Sequence, residues 1–175
     1  MFDWDKVEFK NEKRYLSNMF LTPVEFKRDP VIEKYCVGFE PDNKTYPSTE
    51  HIYQMMKSDN PSWKELIKNI DDPHKTKTLV RKHFKKGLLF ETENHFSLRS
   101  DWNDIKYNLM FVLVYLKFSQ NEELKQKLIS LEGYIEEKNC WNDTYWGTVD
   151  GIGQNNLGKI LMEVRKILKE QNETL

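Results

Sequence analysis

Apolar residues recur along much of this chain at the spacing of one helical face. The spacing i, i+3, i+4, i+7 predicts amphipathic helices whose apolar side packs into a core. Asn60-Pro61 and Asp72-Pro73 are typical helix starts, because proline fits the first turn behind a capping residue. The apolar positions of the predicted helices are Trp63, Leu66, Ile67 and Ile70; Ile105, Leu109, Val112, Leu113 and Leu116; Leu124, Leu128 and Ile129; and Leu157, Ile160, Leu161, Val164, Ile167 and Leu168.

Capping residues mark the expected ends of these helices. Ser100 is the expected N-cap of the long helix through Leu116. Asn121 starts the next helix, which we expect to stop by Gly133. The helix that begins at Asp72-Pro73 is expected to end near Gly87.

Strand-like segments are few and lie mostly near the N-terminus. Val24–Lys27 and Val31–Phe39 are β-prone, and Asp29-Pro30 between them is a turn signal. Tyr134–Lys138 is a predicted short strand, and residues 139–154 form a loop. The sequence has no repeat, low-complexity tract or linker. We therefore predict a single α+β domain that is mostly helical, with a small N-terminal β-sheet.

One predicted helix, within residues 44–57, carries an unusual polar face. Pro47 and Ser48 open it, and Glu50 lies in its first turn. At about 100° per residue, Tyr53, Gln54 and Lys57 share a face with Glu50. A first-turn glutamate often only stabilises the helix dipole. An acid, a phenol, an amide and an ammonium group in one row indicate a pocket for a polar substrate instead.

Composition narrows the possible function classes. The 175 residues are 38% hydrophobic and 13% aromatic, which favours one folded domain with a real core. A formal charge of −1 provides no global field that would attract nucleic acid. The longest apolar run, Leu109–Leu116, is too short to span a bilayer, and Phe2–Arg14 is no signal peptide. Cys36 and Cys140 have no metal-ligand spacing, so we expect reduced thiols in a cytoplasmic protein.

The loop Trp141–Gly147 has a composition typical of a binding site. Asp143 is either a turn-former that caps its own backbone or a functional acid. Trp141, Tyr145 and Trp146 lie within six residues of loop, and aromatic faces stack on bases at roughly 1–3 kcal/mol per base. We expect one tryptophan to pack into the core and one to line a site.

Glycines cluster just before the last helix. Gly151, Gly153 and Gly158 flank Gln154-Asn155-Asn156, so this helix start offers N–H groups to a phosphate. The alternative is that these are ordinary loop and capping glycines.

A local basic face follows in residues 74–86. Most of its lysines fit a solvated helix surface, but Arg81 could bind phosphate in a bidentate fork. Trp102 at the start of the long helix is expected in the core. His51 is expected to support the fold, and the other histidines show no ligand spacing, so we predict no metal site.

At these residues the chain resembles the NADAR family, or YbiA-like domains. The resemblance runs from about Tyr15 to Arg165. The matching segments are Leu16–Phe20, Lys44–Lys57, Asp101–Phe118, Glu136–Gly147 and Gly153–Arg165. This chain differs from the family in two ways: the stretch from Glu25 to Asn43 is longer, and Asn156 stands where relatives often have a basic residue.

The resemblance implies hydrolysis of an N-glycosidic bond in a single pocket, with no metal or organic cofactor. It implies two substrate classes: a phosphoribosylamino-pyrimidine intermediate of riboflavin synthesis, and ADP-ribose attached to a base, notably guanine in DNA. By position, Glu50 falls on the family's essential glutamate, and Trp102 on the tryptophan before the long helix. Asp143 and Trp146 fall on the acid and tryptophan of the loop signature. The family's polar pocket positions fall on Asn18, Lys57 and Asn155.

The expected reaction is hydrolysis of a ribose C1′–N bond through an oxocarbenium-like transition state. Glu50 would stabilise the cation and act as general base, and Asp143 would hold ribose hydroxyls or assist the leaving nitrogen. The expected substrate-binding residues are Asn18, Gln54, Lys57, Arg81, Trp102, Tyr145, Trp146, Gly147 and Asn155. The partner is a small nucleotide or an ADP-ribosylated nucleic acid, and not a membrane.

Two other function classes remain open at this point. A module that binds ADP-ribose or another nucleotide without cleaving it would need the same pocket. A protein-interaction domain would need the aromatic loop only as core. The pair of acids Glu50 and Asp143 favours the enzyme over both.

Overall fold

The computed structural model describes residues 7–9, 11–83 and 96–173. Six helices carry most of this structure, together with two pairs of short strands and two 3₁₀ helices, Asn11–Leu16 and Glu33–Tyr35. The strands are β1 (Val7–Glu8), β2 (Val24–Phe26), β3 (Lys44–Tyr46) and β4 (Ile135–Glu136). The helices are α1 (Thr49–Met55), α2 (Pro61–Lys68), α3 (Pro73–His83), α4 (Trp102–Ser119), α5 (Glu122–Ile129) and α6 (Asn156–Glu173). The predicted α+β, mostly helical class is confirmed.

Helix α4 is the centre of the core. Every residue from Leu109 to Phe118 is buried, so this part of the helix is covered on all sides. It packs against α6, α1 and α5. The apolar stripe of α6 is buried as predicted, apart from the half-buried Ile167. In α2, Trp63 and Ile67 are buried, whereas Leu66 lies at the surface.

The strand pairing differs from the prediction. β2 pairs antiparallel with β3, in the register Val24↔Tyr46, and β1 pairs parallel with β4. Val31–Phe39 is therefore not a strand, and it contains the second 3₁₀ helix. Ile32 and Phe39 of this segment are buried without a strand partner, and Phe39 stacks on Phe26 at 6.3 Å between ring centroids, whereas Val31 and Val37 are exposed.

Helix starts follow the predicted caps with one exception. Asn60 and Asn121 accept backbone N–H groups of the first turns of α2 and α5, as expected. Ser100 is not the cap of α4, because Asp101 takes that position. Arg99 holds Asp101 there, with Nε 2.6 Å from Oδ1. The predicted end of α3 near Gly87 lies outside the described residues.

No helix among the described residues is both long enough and apolar enough to cross a membrane.

Candidate active site

A cavity of about 560 Å³ opens between α1, α3 and the loop that follows β4. Most of the side chains predicted to be functional line it. The lining residues are Ser17, Asn18 and Met19; Glu50, Tyr53, Gln54 and Lys57; His74, Lys77, Thr78 and Arg81; Met110; Glu137, Trp141, Asp143 and Trp146; and Leu157.

Helix α1 forms the first wall and presents the predicted polar face. Glu50 is only 6% exposed, and its Oε1 accepts a hydrogen bond from Gln54 Nε2 at 2.6 Å. The backbone N–H of Glu50 donates to Asn18 O at 3.1 Å, so the helix start is docked on the N-terminal segment. Ser48 precedes the helix, but its hydroxyl lies 2.8 Å from His51 Nδ1 and caps no helical N–H. The Glu50 carboxylate is thus held by Gln54, and the Glu50 backbone by the N-terminal segment.

Lys57 lies just beyond the end of α1 and still reaches the cavity. Its Nζ lies 5.4 Å from the ring centroid of Tyr53 and 5.6 Å from that of Trp102. Burial lowers the pKa of Lys57 to about 8, although the charge of Glu50 opposes this shift. The ammonium group of this half-buried side chain therefore lies near two aromatic faces and within the field of the Glu50 carboxylate.

The segment Ser17–Met19 forms the floor beside Glu50. The Asn18 amide Oδ1 accepts from Thr49 Oγ1 at 3.2 Å, which ties it to the start of α1. Lys117 of α4 anchors the segment from behind, since its Nζ donates to Ser17 O at 2.8 Å and also to Tyr15 O. Burial lowers the pKa of Lys117 to about 7.

The loop after β4 supplies the second acidic wall. Asp143 lines the cavity, and its Oδ1 accepts the backbone N–H groups of Tyr145 at 3.1 Å and Trp146 at 2.9 Å. Asn139 braces the same turn, because its side chain donates to Asp143 O at 2.8 Å and accepts from Asp143 N at 3.1 Å. The turn-forming interpretation of Asp143 thus holds at the same time as its position in the cavity.

The two loop tryptophans differ from the expected core-and-site division. Trp146 packs against the core and also lines the cavity, where its ring meets Tyr53 edge to face at 5.8 Å. Trp141 is 53% exposed and lines the rim. Lys77 Nζ lies 5.5 Å from its ring centroid. Neither loop tryptophan is a buried core residue.

Helix α3 forms the third side of the cavity with basic side chains. Arg81 lines the cavity as predicted, and His74 and Lys77 join it from the same helical face. The sequence singled out only Arg81 here. The i, i+3, i+7 spacing of the three residues is the signal that could have identified the other two. Of the other lysines in residues 74–86, Lys75 and Lys82 do not line the cavity, and Lys85 and Lys86 lie outside the described residues.

Glu137 is the acid that the sequence analysis missed. It lines the cavity one residue beyond β4, and burial, then the charge of Asp143, raises its pKa to about 7. The preceding residues Ile135 and Glu136 are both buried, and Thr148 Oγ1 donates to Glu136 Oε1 at 2.9 Å. The predicted strand Tyr134–Lys138 contains both Glu136 and Glu137, and no feature of the sequence distinguishes the one that lines the cavity.

Four predicted site residues do not line the cavity: Trp102, Tyr145, Gly147 and Asn155. Trp102 packs edge to face on Tyr53 at 5.0 Å, so it supports the aromatic wall from behind. Tyr145 packs on Trp146 at 4.8 Å, and Lys106 Nζ lies 4.2 Å from its ring centroid.

Gly147 does not line the cavity, and its role is steric. A Cβ atom at this position would lie 2.1 Å from Glu137 O and 2.8 Å from Asn139 Nδ2. The loop can therefore approach β4 only because residue 147 has no side chain.

The predicted phosphate site at the start of α6 is not formed. The N–H groups of Asn155, Asn156 and Leu157 donate to the carbonyl groups of Gly147, Tyr145 and Trp146. The Asn155 side chain is also engaged, because it accepts from Glu137 N at 2.9 Å and donates to Ile135 O at 2.8 Å. Asn155 thus joins β4, the loop and α6. A helix start needs free N–H groups to bind an anion, and the loop carbonyls occupy these.

Metal-ligating side chains do not cluster in the part of the chain that the structure describes. The cavity contains three carboxylic acids, but Lys57, Lys77 and Arg81 lie among them. Such a mixture suits an anionic polar substrate better than a cation.

Comparison with known proteins places this architecture. The model of the NADAR domain matches residues 4–169. A riboflavin biosynthesis protein of Vibrio vulnificus is 30% identical over 160 residues, which are 88% of this chain and 41% of that protein. The N-glycosidase YbiA of Escherichia coli is 30% identical over 128 residues, or 73% of each protein.

The structural comparison agrees with the sequence comparison. The NMR structure of E. coli YbiA superimposes with a TM-score of 0.71 at 25% identity, covering 95% of this chain and 86% of that one. The chain spans less than half of the Vibrio protein and about three quarters of YbiA. From the match over most of its length, the chain belongs to the NADAR family.

Proposed function

We propose that this protein hydrolyses the ribose C1′–N bond of an N-glycoside. The observation that carries the proposal is that Glu50 and Asp143 line one cavity from two separate walls, beside Trp146 and Lys57. A volume of about 560 Å³ suits a nucleotide-sized ligand. The names of two relatives, N-glycosidase YbiA and riboflavin biosynthesis protein, support the same class of chemistry.

Glu50 is the central catalytic group in this scheme. Cleavage of a C1′–N bond develops positive charge on the ribose, and a fixed carboxylate in a partly dry site stabilises that charge. The Gln54 amide orients the Glu50 carboxylate through its 2.6 Å hydrogen bond. The same carboxylate takes a proton from the attacking water as general base.

Asp143 and the aromatic side chains bind the sugar and base. One oxygen of Asp143 accepts the N–H groups of the loop turn, and this fixes the carboxylate. It can therefore accept hydrogen bonds from ribose hydroxyl groups without reorganisation. Trp146 and Tyr53 meet edge to face and offer an apolar surface for the base or the ribose ring.

The cations of the cavity bind the phosphates of the substrate. Lys57 provides a partly desolvated ammonium group next to Glu50, and Arg81 and Lys77 lie on α3. A guanidinium group and ammonium groups are the usual side-chain partners of phosphate. Asn18 provides an amide on the floor of the cavity.

Two substrates fit this arrangement. One is ADP-ribose joined to a base, notably guanine in DNA, and the other is a phosphoribosylamino-pyrimidine intermediate of riboflavin synthesis. The concave cavity requires that a base in DNA be single-stranded or flipped out of the helix before it enters.

The test follows product formation from both substrates by mass spectrometry. Wild-type protein and Glu50→Gln are incubated with ADP-ribosylated guanine DNA and with the phosphoribosylamino-pyrimidine. We expect Glu50→Gln to keep its fold and its binding but to lose turnover on the order of 10²–10⁴-fold. Glu65→Gln, on the exposed side of α2, is the matched control and is expected to behave as wild type.

The products decide between the substrates. Release of ADP-ribose assigns a glycohydrolase that acts on modified nucleic acid, and release of ribose 5-phosphate assigns clearance of a metabolite. A ligand that binds but is recovered intact from the wild type would instead support the non-catalytic binding module. Full activity in Glu50→Gln would refute the role of that residue.

A further inference from the structure

One carboxylic acid of the cavity has no role in the scheme above. Glu137 lines the same cavity as Glu50 and Asp143. Its Oε2 is buried and has no hydrogen-bond partner among the described residues. A buried polar atom without a partner is uncommon in folded proteins, and such an atom calls for an explanation such as a ligand or a catalytic role.

We propose that Glu137 is the general acid that protonates the leaving nitrogen, a role that rests on the N-glycoside hydrolysis proposed above. Glu137 lies on the wall formed by β4 and the following loop, whereas Glu50 lies on α1. The two acids thus come from different walls of one cavity, which suits a reaction in which two carboxyl groups flank the bond that is cleaved.

The division of labour between the two acids of the loop wall follows from their hydrogen bonds. Asp143 Oδ1 already accepts the N–H groups of Tyr145 and Trp146, an arrangement that suits a carboxylate which holds a turn and binds hydroxyls. Glu137 Oε2 is buried and makes no such bond, and because the residue lines the cavity, a rotation of its carboxyl group brings this oxygen to a ligand. Glu137 is therefore the better proton donor of the two.

The electrostatic surroundings keep a proton available on Glu137. The charged and titratable groups that share its cavity are Glu50, Lys57, His74, Lys77, Arg81 and Asp143. Burial is the main reason that its pKa rises to about 7; Asp143 and Glu50 add to the shift, and Lys77 opposes it. A carboxyl group with this pKa is substantially protonated at neutral pH and can regain its proton between turnovers.

The backbone of Glu137 is fixed by residues that the sequence singled out but that do not line the cavity. Glu137 N donates to Asn155 Oδ1 at 2.9 Å, and Glu137 O accepts from Thr148 N at 2.8 Å. The missing side chain of Gly147 leaves room for this carbonyl group. Asn155 and Gly147 are in this view positioning residues for the acid.

The step balances as a hydrolysis. The C1′–N bond breaks, its electron pair goes to the leaving nitrogen, and that nitrogen takes the proton of the Glu137 carboxyl group. Water adds to the ribose C1′ and gives its proton to Glu50. Glu137 then regains a proton, and Glu50 releases one to solvent, so the enzyme returns to its starting state.

The experiment measures kcat and kcat/KM from pH 5 to 9 for wild type, Glu137→Gln and the control Glu136→Gln, with the substrate that the wild type cleaves. Glu136 is the adjacent buried glutamate, which accepts from Thr148 and does not line the cavity. For wild type we expect activity that falls as pH rises through about 7, because the acid must be protonated. Glu137→Gln is expected to lose on the order of 10²–10⁴-fold in kcat and to lose this alkaline limb.

Each outcome bears on the proposal. Glu136→Gln with near wild-type kinetics and the same limb would support it, and thermal unfolding verifies that both variants fold. A wild type without the limb, or Glu137→Gln that keeps both the rate and the limb, would overturn the role of Glu137 while leaving the hydrolase intact. A wild type that cleaves neither substrate overturns the hydrolase itself, and Glu137 as general acid with it.

Discussion

The two acidic walls of the cavity differ in structure, because one is a helix and the other is an irregular loop. The α1 wall is a seven-residue helix and the residues just beyond it, and all four polar side chains predicted for it, Glu50, Tyr53, Gln54 and Lys57, line the cavity. The loop wall lies in an irregular segment. Of its predicted residues Asp143 and Trp146 line the cavity, whereas Tyr145, Gly147 and Asn155 do not.

The reason for this difference is the range of the interactions that set each side chain. On a helix, the rotation per residue fixes which side chains share a face, and this is a local property. In the loop, the direction of Asp143 depends on the Asn139 brace and on contacts with β4 and α6. The comparison teaches that a polar face on a helix is reliable evidence for a site, while a loop motif identifies the segment without the individual contacts.

The largest effect is expected from breaking the loop wall at Gly147. Gly147→Ala places a Cβ against the carbonyl group of Glu137, and the overlap should lower the free energy of unfolding by about 3 kcal/mol. Activity should fall as well, because β4 and the loop separate. Chemical denaturation and steady-state kinetics measure the two effects.

Gly151→Ala is the matched control for this substitution. Gly151 has a positive φ, +80°, which Gly147 does not, but a Cβ there would meet nothing within 4 Å. We expect a cost of about 1 kcal/mol from backbone strain alone, without loss of activity. Equal losses of stability at the two positions would contradict the close-approach role of Gly147.

A smaller loss of stability is expected from replacing Lys117, which anchors the segment Ser17–Met19 on which the start of α1 is docked. Lys117→Met removes the hydrogen bonds to the carbonyl groups of Tyr15 and Ser17. At about pH 10 the variant should be less stable than wild type by about 2 kcal/mol. Urea unfolding of both proteins across a pH series measures this difference.

The difference in the free energy of unfolding between wild type and Lys117→Met should change with pH in a defined direction. The pKa of Lys117 is lowered from 10.5 to about 7 on folding, so between these values the unfolded chain binds a proton that the folded chain does not. Raising the pH then stabilises wild type relative to Lys117→Met, with a slope of at most about 1.4 kcal/mol per pH unit. A difference that is constant with pH, or that grows as the pH falls, would contradict the buried state of this amine.

The smallest effect is expected on the third wall. Arg81→Ala should raise the dissociation constant of a phosphate-bearing ligand by about 3- to 10-fold at low salt, since one charge-assisted contact is lost. Lys82 is its neighbour on α3, is exposed and does not line the cavity, so Lys82→Ala is the control. Calorimetric titration with ADP-ribose and with ribose 5-phosphate compares the two. An equal effect of both variants would indicate general charge attraction instead of a contact by Arg81.

Sequence alone anticipated the helical part of the fold well, because its signals are local. Caps at Asn60 and Asn121 and the apolar stripe of α6 all describe interactions within one element. The strand expected over Val31–Phe39 failed, since a strand is defined by its partner and β2 pairs with β3 instead.

The prediction of the site residues was limited in the same way, because long-range packing is not visible in the sequence. Glu137 was missed because nothing in its immediate neighbours distinguishes it from the adjacent Glu136. Only the packing of β4 against α6 and the loop decides which of the two glutamates lines the cavity. The free N–H groups expected at the start of α6 are absent for a similar reason, as distant loop carbonyls bond to them.

The tight contact at Gly147 has a consequence for redesign of the cavity. A recurring motif is commonly treated as a set of ligand contacts, and position 147 would then be varied to change substrate range. Because a Cβ atom at this position would lie 2.1 Å from Glu137 O, any larger residue there displaces the backbone of the wall instead of changing a ligand contact. Libraries that aim at a new leaving base should instead vary Met19, Thr78 and Trp141, which line the cavity without bracing its walls.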